Sequence, residues 1–154
     1  MLRLSKKADY ALLAMRDLAA HADRSAMSMR ELAETNHISP DLLSKVLQQL
    51  VRAGLLESQQ GTRGGYGLAR DAATISVADV IQAIDGPLTV TACSVEDDSC
   101  DQYDTCNIRD PLWRIKDRIV SALEASSVAG LVEDMAPPPP VPPASVVPMT
   151  VVRK

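Results

Sequence analysis

The sequence predicts a mainly α-helical protein, a winged helix-turn-helix with a small β-hairpin wing and a long C-terminal dimerisation helix. Two short helical patterns between residues 28 and 53 are separated by only a few residues, which is typical of a helix-turn-helix. A strand, a glycine-rich turn and a second strand follow between residues 55 and 69. A later helical pattern carries an apolar stripe that has few neighbours left in the chain to cover it.

The length of 154 residues suits one compact domain, or a small domain with a dimerisation element. Residues 1–70 carry 10 Lys and Arg against 7 Asp and Glu, a net charge of +3, whereas residues 71–154 carry 6 against 13, or −7. We therefore expect only the first half to meet a polyanion such as DNA. No signal peptide or membrane-length apolar run is found and the cysteine count is odd, which predicts a cytoplasmic protein that does not enter membranes.

An amphipathic first helix is predicted over residues 6–22. Its apolar positions recur at helical spacing: Ala8, Ala11, Leu12, Met15, Leu18, Ala19 and Ala22. Lys6 and Lys7 lie at its start, where the helix dipole disfavours cations. They are either part of a solvated face or contacts for DNA phosphates, and the sequence leaves both interpretations open.

The first helix of the helix-turn-helix is expected to begin after Ser28 and to end near Thr35. Ser28 and Glu31 have the spacing of a capping box, in which the serine accepts from a backbone amide and the glutamate reaches back to the N-cap. A turn of a few residues should then lead into the second helix.

The second helix of the motif is predicted over residues 39–53. Ser39 suits the N-cap, Pro40 the first turn and Gly54 the left-handed residue that ends a helix. The inward positions are Leu43, Val46, Leu47 and Leu50, and the outward positions are Asp41, Ser44, Lys45, Gln48 and Arg52. Polar side chains of this kind can reach base edges in a major groove, although an ordinary solvated helix face shows the same pattern. The hairpin that follows favours DNA binding.

This hairpin is expected to pair residues 55–58 with residues 66–69, with Gly64 and Gly65 as the turn signal and Arg63 at the tip. The order of helix, helix and hairpin predicts a winged helix, on which an arginine can enter a minor groove or bind phosphate. A nucleotide-binding loop is the alternative. It is disfavoured because no strand-to-helix transition carries GxGxxG or Gly-Lys-Ser/Thr.

Two further helices are predicted after the wing. Ser76 and Asp79 indicate a capped helix that ends near Asp85. Asp110 and Pro111 open a long helix whose apolar stripe consists of Leu112, Trp113, Ile115, Ile119, Val120 and Leu123. A two-fold dimer is the simplest way to bury this stripe.

All the cysteines lie in one segment, with the spacing C-x6-C-x5-C: Cys93, Cys100 and Cys106. The segment has no apolar periodicity and several acidic residues, so we expect a loop. Thiolates from one loop suit a metal ion or an iron–sulfur cluster, and zinc would also accept three of them. The alternatives are cysteines that merely fill space, or a disulfide with one thiol left over.

An enzyme or a structural cysteine-rich module is disfavoured. The two histidines, His21 and His37, lie far from the cysteines in sequence, and no pairing of nucleophile and base emerges. The wing and the polar outward helix face argue against a purely structural module.

Together these residues resemble the iron–sulfur winged-helix regulators that include IscR, NsrR and the regulator of the SUF cluster-assembly operon. The resemblance covers nearly the whole chain up to about Met135, and the opening residues look most like the SUF-regulator branch. It is carried by MLRLSKKADYAL, by SMRELAE with HISPDLLSKVLQQLVRAGLL, by GTRGGYGLARDAATISVADVIQAIDG, and by LWRIKDRI after the cysteines.

The resemblance implies a homodimer, expected to act as a repressor, that binds a double-stranded operator and controls SUF-type genes according to cluster or redox status. The residues expected to contact DNA are Ser28, Ser39, Asp41, Ser44, Lys45, Gln48 and Arg63. The chain would then divide into a DNA-binding domain at 1–70, a cluster loop with dimerisation helices at 71–135, and a tail at 136–154. The tail holds seven of the ten prolines and is expected to be disordered.

The cluster implied by the resemblance would be held by Cys93, Cys100 and Cys106, with 2Fe–2S favoured and 4Fe–4S left open. In IscR-like members a histidine three residues after the last cysteine completes the site, but here that position is Arg109, which cannot ligate iron. In NsrR-like members an aspartate early in the first helix of the other subunit does so, and the matching residue is Asp9. Asp9 has the alternative of a carboxylate stabilised by the helix dipole. A zinc or thiol sensor of redox state or nitric oxide on the same fold is the alternative to a cluster.

Overall fold

The computed structural model of the protein describes residues 4–24, 26–61, 64–89 and 105–133. In these ranges the chain forms helices and one antiparallel hairpin, which confirms the predicted fold class. The elements are α1 (Lys6–Ala20), α2 (Met29–Thr35), α3 (Pro40–Arg52), β1 (Leu56–Gln59), β2 (Gly65–Leu68), a 3-10 turn (Ala72–Thr74), α4 (Val77–Asp85), α5 (Arg109–Ala125) and α6 (Val128–Glu133).

The hydrophobic core forms around α1, which α3, α4 and α6 all contact. Its inner face is lined by Ala8, Ala11 and Ala14, which are fully buried and small enough to let neighbouring helices approach closely. Residues from both sides of position 70 share this core. Ile75, Val80 and Val128, which follow position 70, pack in one cluster with residues that precede it. The latter include Leu32, Leu43, Leu47 and Leu50. The predicted boundary at residue 70 therefore separates DNA binding from cluster binding and does not separate two cores. That division of function stays a prediction.

The helix ends follow local capping chemistry. The predicted capping box of α4 is confirmed, since Ser76 and Asp79 each accept from the other's backbone amide. Gly86 follows α4 with a φ of +79°, in the left-handed region that favours glycine. The first helix, α1, ends at Ala20, slightly earlier than predicted, and Ala22 is exposed beyond it.

The long helix α5 begins at Arg109 and contacts α4, but it contains no buried residue in the described structure. The side chains of Trp113 and Ile115 are 36% and 47% exposed. After α5 the chain returns to the core through two backbone hydrogen bonds, Val77 N to Ser126 O at 2.8 Å and Val128 N to Ile75 O at 2.9 Å. Trp113 and Ile115 on the stripe of α5 therefore remain exposed, although the chain that follows α5 is anchored to the core.

Candidate DNA-binding surface and cysteine segment

The turn between α2 and α3 is fixed by a residue that the sequence did not single out. His37 has a φ of +53°, and the amide of Ile38 donates to the carbonyl of Ala33 at 3.0 Å. The same bond pattern ends α3, where Gly54 has a φ of +72° and Leu55 N donates to Leu50 O at 3.0 Å. Histidine is among the few non-glycine residues enriched at positive φ. The turn therefore forms without a glycine, which is the residue that would have predicted it from the sequence.

The start of α3 differs from the prediction in one respect. Pro40 occupies the first turn as expected, but the side chain of Ser39 makes no capping hydrogen bond. Instead the backbone carbonyl of Ser39 accepts from the amides of Leu42 and Leu43, at 3.1 and 3.0 Å. Ser39 is therefore the N-cap residue by position, as predicted, but its hydroxyl does not cap the helix, and its exposed side chain is available to another partner.

The two faces of α3 are as predicted. Its four inward side chains are fully buried: Leu43, Val46, Leu47 and Leu50. On the opposite face Asp41, Lys45 and Gln48 are exposed and Ser44 is half-buried. Gln48 Nε2 lies 3.4 Å from Ser44 Oγ, a long hydrogen bond that costs little to release, and Lys45 has no ion pair within the described ranges. The outer face thus presents donors and acceptors that are not committed to strong partners.

The start of α2 lies beside this face and is only half as predicted. Ser28 Oγ accepts from the amide of Glu31 at 3.1 Å, which leaves its O–H free to donate to an external acceptor. The carboxylate of Glu31 does not complete the capping box, because it pairs with Arg24 at 2.7 Å. Also on α2, the hydrogen bond and charge of Glu34 raise the pKa of Arg30.

The wing is held to the body by an additional backbone pairing. Tyr66 exchanges both backbone hydrogen bonds with Met27, at 2.8 and 3.0 Å. Gly65 is required by this approach, since a Cβ at this position would lie 2.2 Å from the Met27 carbonyl oxygen. A Cβ on Gly64 would likewise lie 2.5 Å from the carbonyl oxygen of Gln59. Both glycines serve close packing rather than a positive φ, and Arg63 at the predicted tip lies outside the described residues.

A buried carboxylate, which sequence reasoning missed, joins α1 to the helix-turn-helix. Asp17 is 3% exposed, and its Oδ2 accepts from Asn36 Nδ2 at 2.6 Å while its Oδ1 accepts from Arg16 at 3.0 Å. Asn36 is the last residue before the left-handed His37, and its amide also donates to Leu32 O at 3.0 Å. The network therefore fixes the turn that aims α3. Its only sequence signal is a charged residue on the apolar side of α1.

The cysteine segment is described only at its end. Cys106 is a half-buried free thiol close to the start of α5, whereas Cys93 and Cys100 lie outside the described residues. Asp9 is exposed in the first turn of α1 and borders a shallow groove between α1 and Leu131. No group of three or more candidate metal ligands forms among the residues that the structure describes.

Arg109, at the position where a histidine would ligate in IscR-like proteins, is engaged by its own helix. Its Nε donates to Asp110 Oδ1 at 2.8 Å, and its guanidinium carbon lies 5.7 Å from the centre of the Trp113 ring. An ion pair and a cation–π contact together orient the side chain along α5. Arg109 thus has a local role that does not involve a metal.

The fold and this surface now allow comparison with known proteins. Residues 4–134 match the Rrf2 family, described as iron-dependent transcriptional regulators. The chain belongs to the Rrf2 family. It is 36% identical over 134 residues to the HTH-type transcriptional regulator IscR of Xenorhabdus nematophila. The matched region covers 86% of this chain and 80% of that protein.

Solved structures of Rrf2 proteins have the same architecture. CymR, the global cysteine regulator of B. subtilis, superposes with a TM-score of 0.72 at 28% identity, over 86% of this chain and 98% of CymR. IscR of T. potens gives a TM-score of 0.69 at 29% identity, over 88% and 89% of the two chains. The resemblance to IscR-type regulators is therefore confirmed.

Membership of the Rrf2 family decides the class of function. The protein is a transcription regulator of the IscR type and not an enzyme. Regulators of this family bind DNA, and the exposed face of α3 lies on the helix that a winged helix uses for that purpose. No helix within the described ranges is both long and apolar enough to cross a membrane.

Proposed function

We propose that the protein is a cytoplasmic homodimeric repressor that binds double-stranded operator DNA and responds to an iron–sulfur cluster held by its cysteines. Its targets would be genes of SUF-type cluster assembly, so that cluster supply controls the production of the assembly machinery. Winged-helix proteins read DNA with a helix in the major groove and use the wing on the neighbouring backbone or minor groove.

The observation that carries DNA binding is the uncommitted outer face of α3. Lys45 and Gln48 are exposed side chains able to donate to guanine or pair with adenine, and Asp41 can accept from cytosine. Ser28 and Ser39 are exposed at the starts of α2 and α3, where hydroxyls and helix N-termini suit phosphate contacts. These residues lie on the two consecutive helices of the helix-turn-helix, because the His37 turn joins the end of α2 to the start of α3.

The donor set fits a cluster on chemical grounds. Three cysteines in one acidic segment supply soft thiolate ligands, and a description of the family as iron-dependent agrees with that choice. Cys106 lies just before the start of α5, where the positive end of the helix dipole favours a thiolate. When bound, the cluster would supply a group that is gained or lost with iron supply and oxidation.

The fourth ligand is assigned to Asp9 in this proposal, and a 2Fe–2S cluster is favoured over 4Fe–4S. The engagement of Arg109 by Asp110 and Trp113 leaves no local replacement at the position of the IscR-like histidine. Asp9 is exposed in the first turn of α1 and is available to a second subunit. A carboxylate is a harder and weaker partner for iron than a thiolate, which suits a ligand that is released during sensing.

Dimerisation is supported by α5. A helix of this length with Trp113 and Ile115 exposed, and with no buried residue in the described structure, leaves an apolar stripe that a second copy would cover. A two-fold arrangement also places two α3 helices for neighbouring half-sites, as dimeric helix-turn-helix proteins require.

A second candidate keeps the fold and changes the sensor to zinc or to thiol redox chemistry, including reaction with nitric oxide. The observation that favours it is the likeness to CymR of Staphylococcus aureus, which has also been solved in an oxidized form. Three thiolates with one carboxylate would satisfy tetrahedral zinc equally well.

Anaerobic purification followed by visible absorption and analysis of iron, acid-labile sulfide and zinc separates the two candidates. The cluster proposal predicts a coloured protein with iron and sulfide in equal amounts, and colourless, folded single variants Cys93→Ala, Cys100→Ala and Cys106→Ala. A colourless protein with one zinc per chain would support the second candidate. A metal-free protein whose operator affinity responds to thiol oxidation would support the redox form of that candidate.

A further inference from the structure

Two residues far apart in sequence join the end of α4 to the start of α1. Asp85, the last residue of α4, accepts from Ser5 through both carboxylate oxygens, with Ser5 N to Oδ2 at 3.1 Å and Ser5 Oγ to Oδ1 at 2.5 Å. Ser5 is the N-cap of α1, and its Oγ accepts from the amide of Ala8 at 3.1 Å. The serine hydroxyl therefore donates to Asp85 while it caps its own helix.

The electrostatics explain why this carboxylate is turned toward α1. A negative charge at the last residue of a helix lies at the negative end of that helix's dipole, which disfavours it. At the N-terminus of α1 the dipole has the opposite sign, and the amide and hydroxyl of Ser5 provide two donors. Charge-assisted hydrogen bonds of this kind are stronger than neutral ones. Asp85 thus sets the position of the start of α1 relative to the end of α4.

The other half of α1 is fixed just as specifically. Asp17 is joined to Asn36, the residue before the turn that leads into α3. Between Ser5 and Asp17 the helix is continuous and its inner face is fully buried. A displacement of the start of α1 is therefore carried to the turn of the helix-turn-helix, because a packed helix moves as a unit.

We propose that Ser5 and Asp85 are positioning residues that couple the cysteine segment to the DNA-binding helices through α1. The chain leaves Asp85 through Gly86, whose amide donates to Gln82 O at 3.0 Å, and through Pro87, whose ring fixes φ, and it continues to Cys93. Cluster binding or loss in that segment changes the position of Asp85, and Ser5 follows. This inference rests on the proposed function, since it specifies how the cluster state reaches the operator-binding face.

The test compares operator affinity with and without cluster in wild type, Asp85→Ala and Ser5→Ala. The duplex is one enriched from a random library by the purified wild-type protein, and each preparation is measured before and after chelation of its cluster. Wild type is expected to change its affinity by about 5- to 150-fold, the usual range for allosteric coupling. In both variants the ratio should fall to within about twofold of unity, while their cluster absorption stays at the wild-type level.

Asp79→Ala is the matched control. Asp79 also lies on α4 and accepts two hydrogen bonds, from Ser76 N and from Arg70, both at 3.1 Å, but neither bond reaches the start of α1. Its loss should lower stability as a lost cap does, and should leave the affinity ratio at the wild-type value. If Asp85 had only a structural role, Asp85→Ala and Asp79→Ala would both lower stability and both keep the wild-type affinity ratio.

A second readout and a second variant keep the proposal falsifiable if Asp85→Ala folds poorly. Amide hydrogen exchange at Ala8, whose amide donates to Ser5 Oγ, should differ between loaded and chelated wild type. The two rates should become equal in Asp85→Asn, whose amide can accept only one of the two Ser5 donors. Wild-type ratios in both Ser5→Ala and Asp85→Asn would overturn the inference and leave the proposed function intact. If wild type itself bound the operator equally well with and without cluster, both this inference and the proposed function would be contradicted.

Discussion

The replacement Asn36→Ala tests the buried network that fixes the turn before α3. It deletes the donor to Asp17 Oδ2 at 2.6 Å and the donor to Leu32 O at 3.0 Å. The side chain of Asp17 is only 5% exposed, and its remaining partner Arg16 is 43% exposed. A hydrogen bond to a charged group contributes about 1.5–3 kcal/mol, so we expect a loss of about 2 kcal/mol in the free energy of unfolding. For a chain of this size that corresponds to a fall of about 4–8 °C in Tm.

The assay is thermal unfolding followed by circular dichroism, with Glu34→Ala as the control. Glu34 lies on the same helix and accepts from Arg30 at 2.9 Å, but those side chains are 68% and 85% exposed. Exposed pairs contribute little, so this control should leave Tm unchanged. The variant Asp17→Asn completes a double-mutant cycle with Asn36→Ala and isolates the pairwise interaction. A Tm for Asn36→Ala equal to that of the control would refute the assignment of Asp17 and Asn36 as an energetically important pair.

Three further outcomes follow from the surface and the cysteine segment. Lys45→Ala should reduce discrimination between operator and scrambled duplex by about 1–3 kcal/mol. Arg63→Ala should instead lower the affinity for both duplexes together and reduce the salt dependence of binding. Equal losses of affinity for both duplexes in Lys45→Ala would show that Lys45 contacts only phosphate. Ile115→Asp places a charge at an exposed position of α5 and should convert the proposed dimer to a monomer in sedimentation experiments, whereas a dimer that persists in this variant would place the interface elsewhere. Asp9→Ala should alter the cluster spectrum and speed cluster loss in air, and an unchanged spectrum with unchanged lifetime would return Asp9 to the role of a helix-start carboxylate.

Local patterns predicted those parts of the fold that depend on neighbours within one helical turn or one hairpin. The inward positions of α3 follow from hydrophobic periodicity, and the Ser76–Asp79 capping box from a spacing of three residues. The end of α3 at Gly54 follows from the conformational freedom of glycine. Each of these depends on contacts within a short stretch of chain.

The features that the sequence did not predict depend on partners distant along the chain. Glu31 has the spacing of a capping box, yet Arg24 draws its carboxylate away. Asp17 and Asn36, nineteen residues apart, pair only because the tertiary fold brings the last turn of α1 close to the end of α2. Gly65 is needed because Met27 approaches it, and no local turn signal shows that. Polar residues and glycines keep several local options, and tertiary packing selects among them.

The candidate site divides in the same way. The exposed face of α3 was predicted residue by residue, because burial of one face of an amphipathic helix fixes the other. The cysteine ligands were inferred from composition and spacing, and for Cys93 and Cys100 that inference stays a prediction. Arg109 was predicted not to ligate, and its contacts with Asp110 and Trp113 give it a different role.

The most direct test of the central claim is one titration of anaerobically purified protein against the selected operator duplex, before and after its cluster is removed from the same sample. Fluorescence anisotropy with a labelled duplex gives both dissociation constants, and visible absorption reports the cluster content of each. The account predicts that affinity changes by at least about fivefold when the absorption is lost, and that a Cys106→Ala protein behaves like the chelated sample throughout. Equal dissociation constants for loaded and chelated wild type would contradict it.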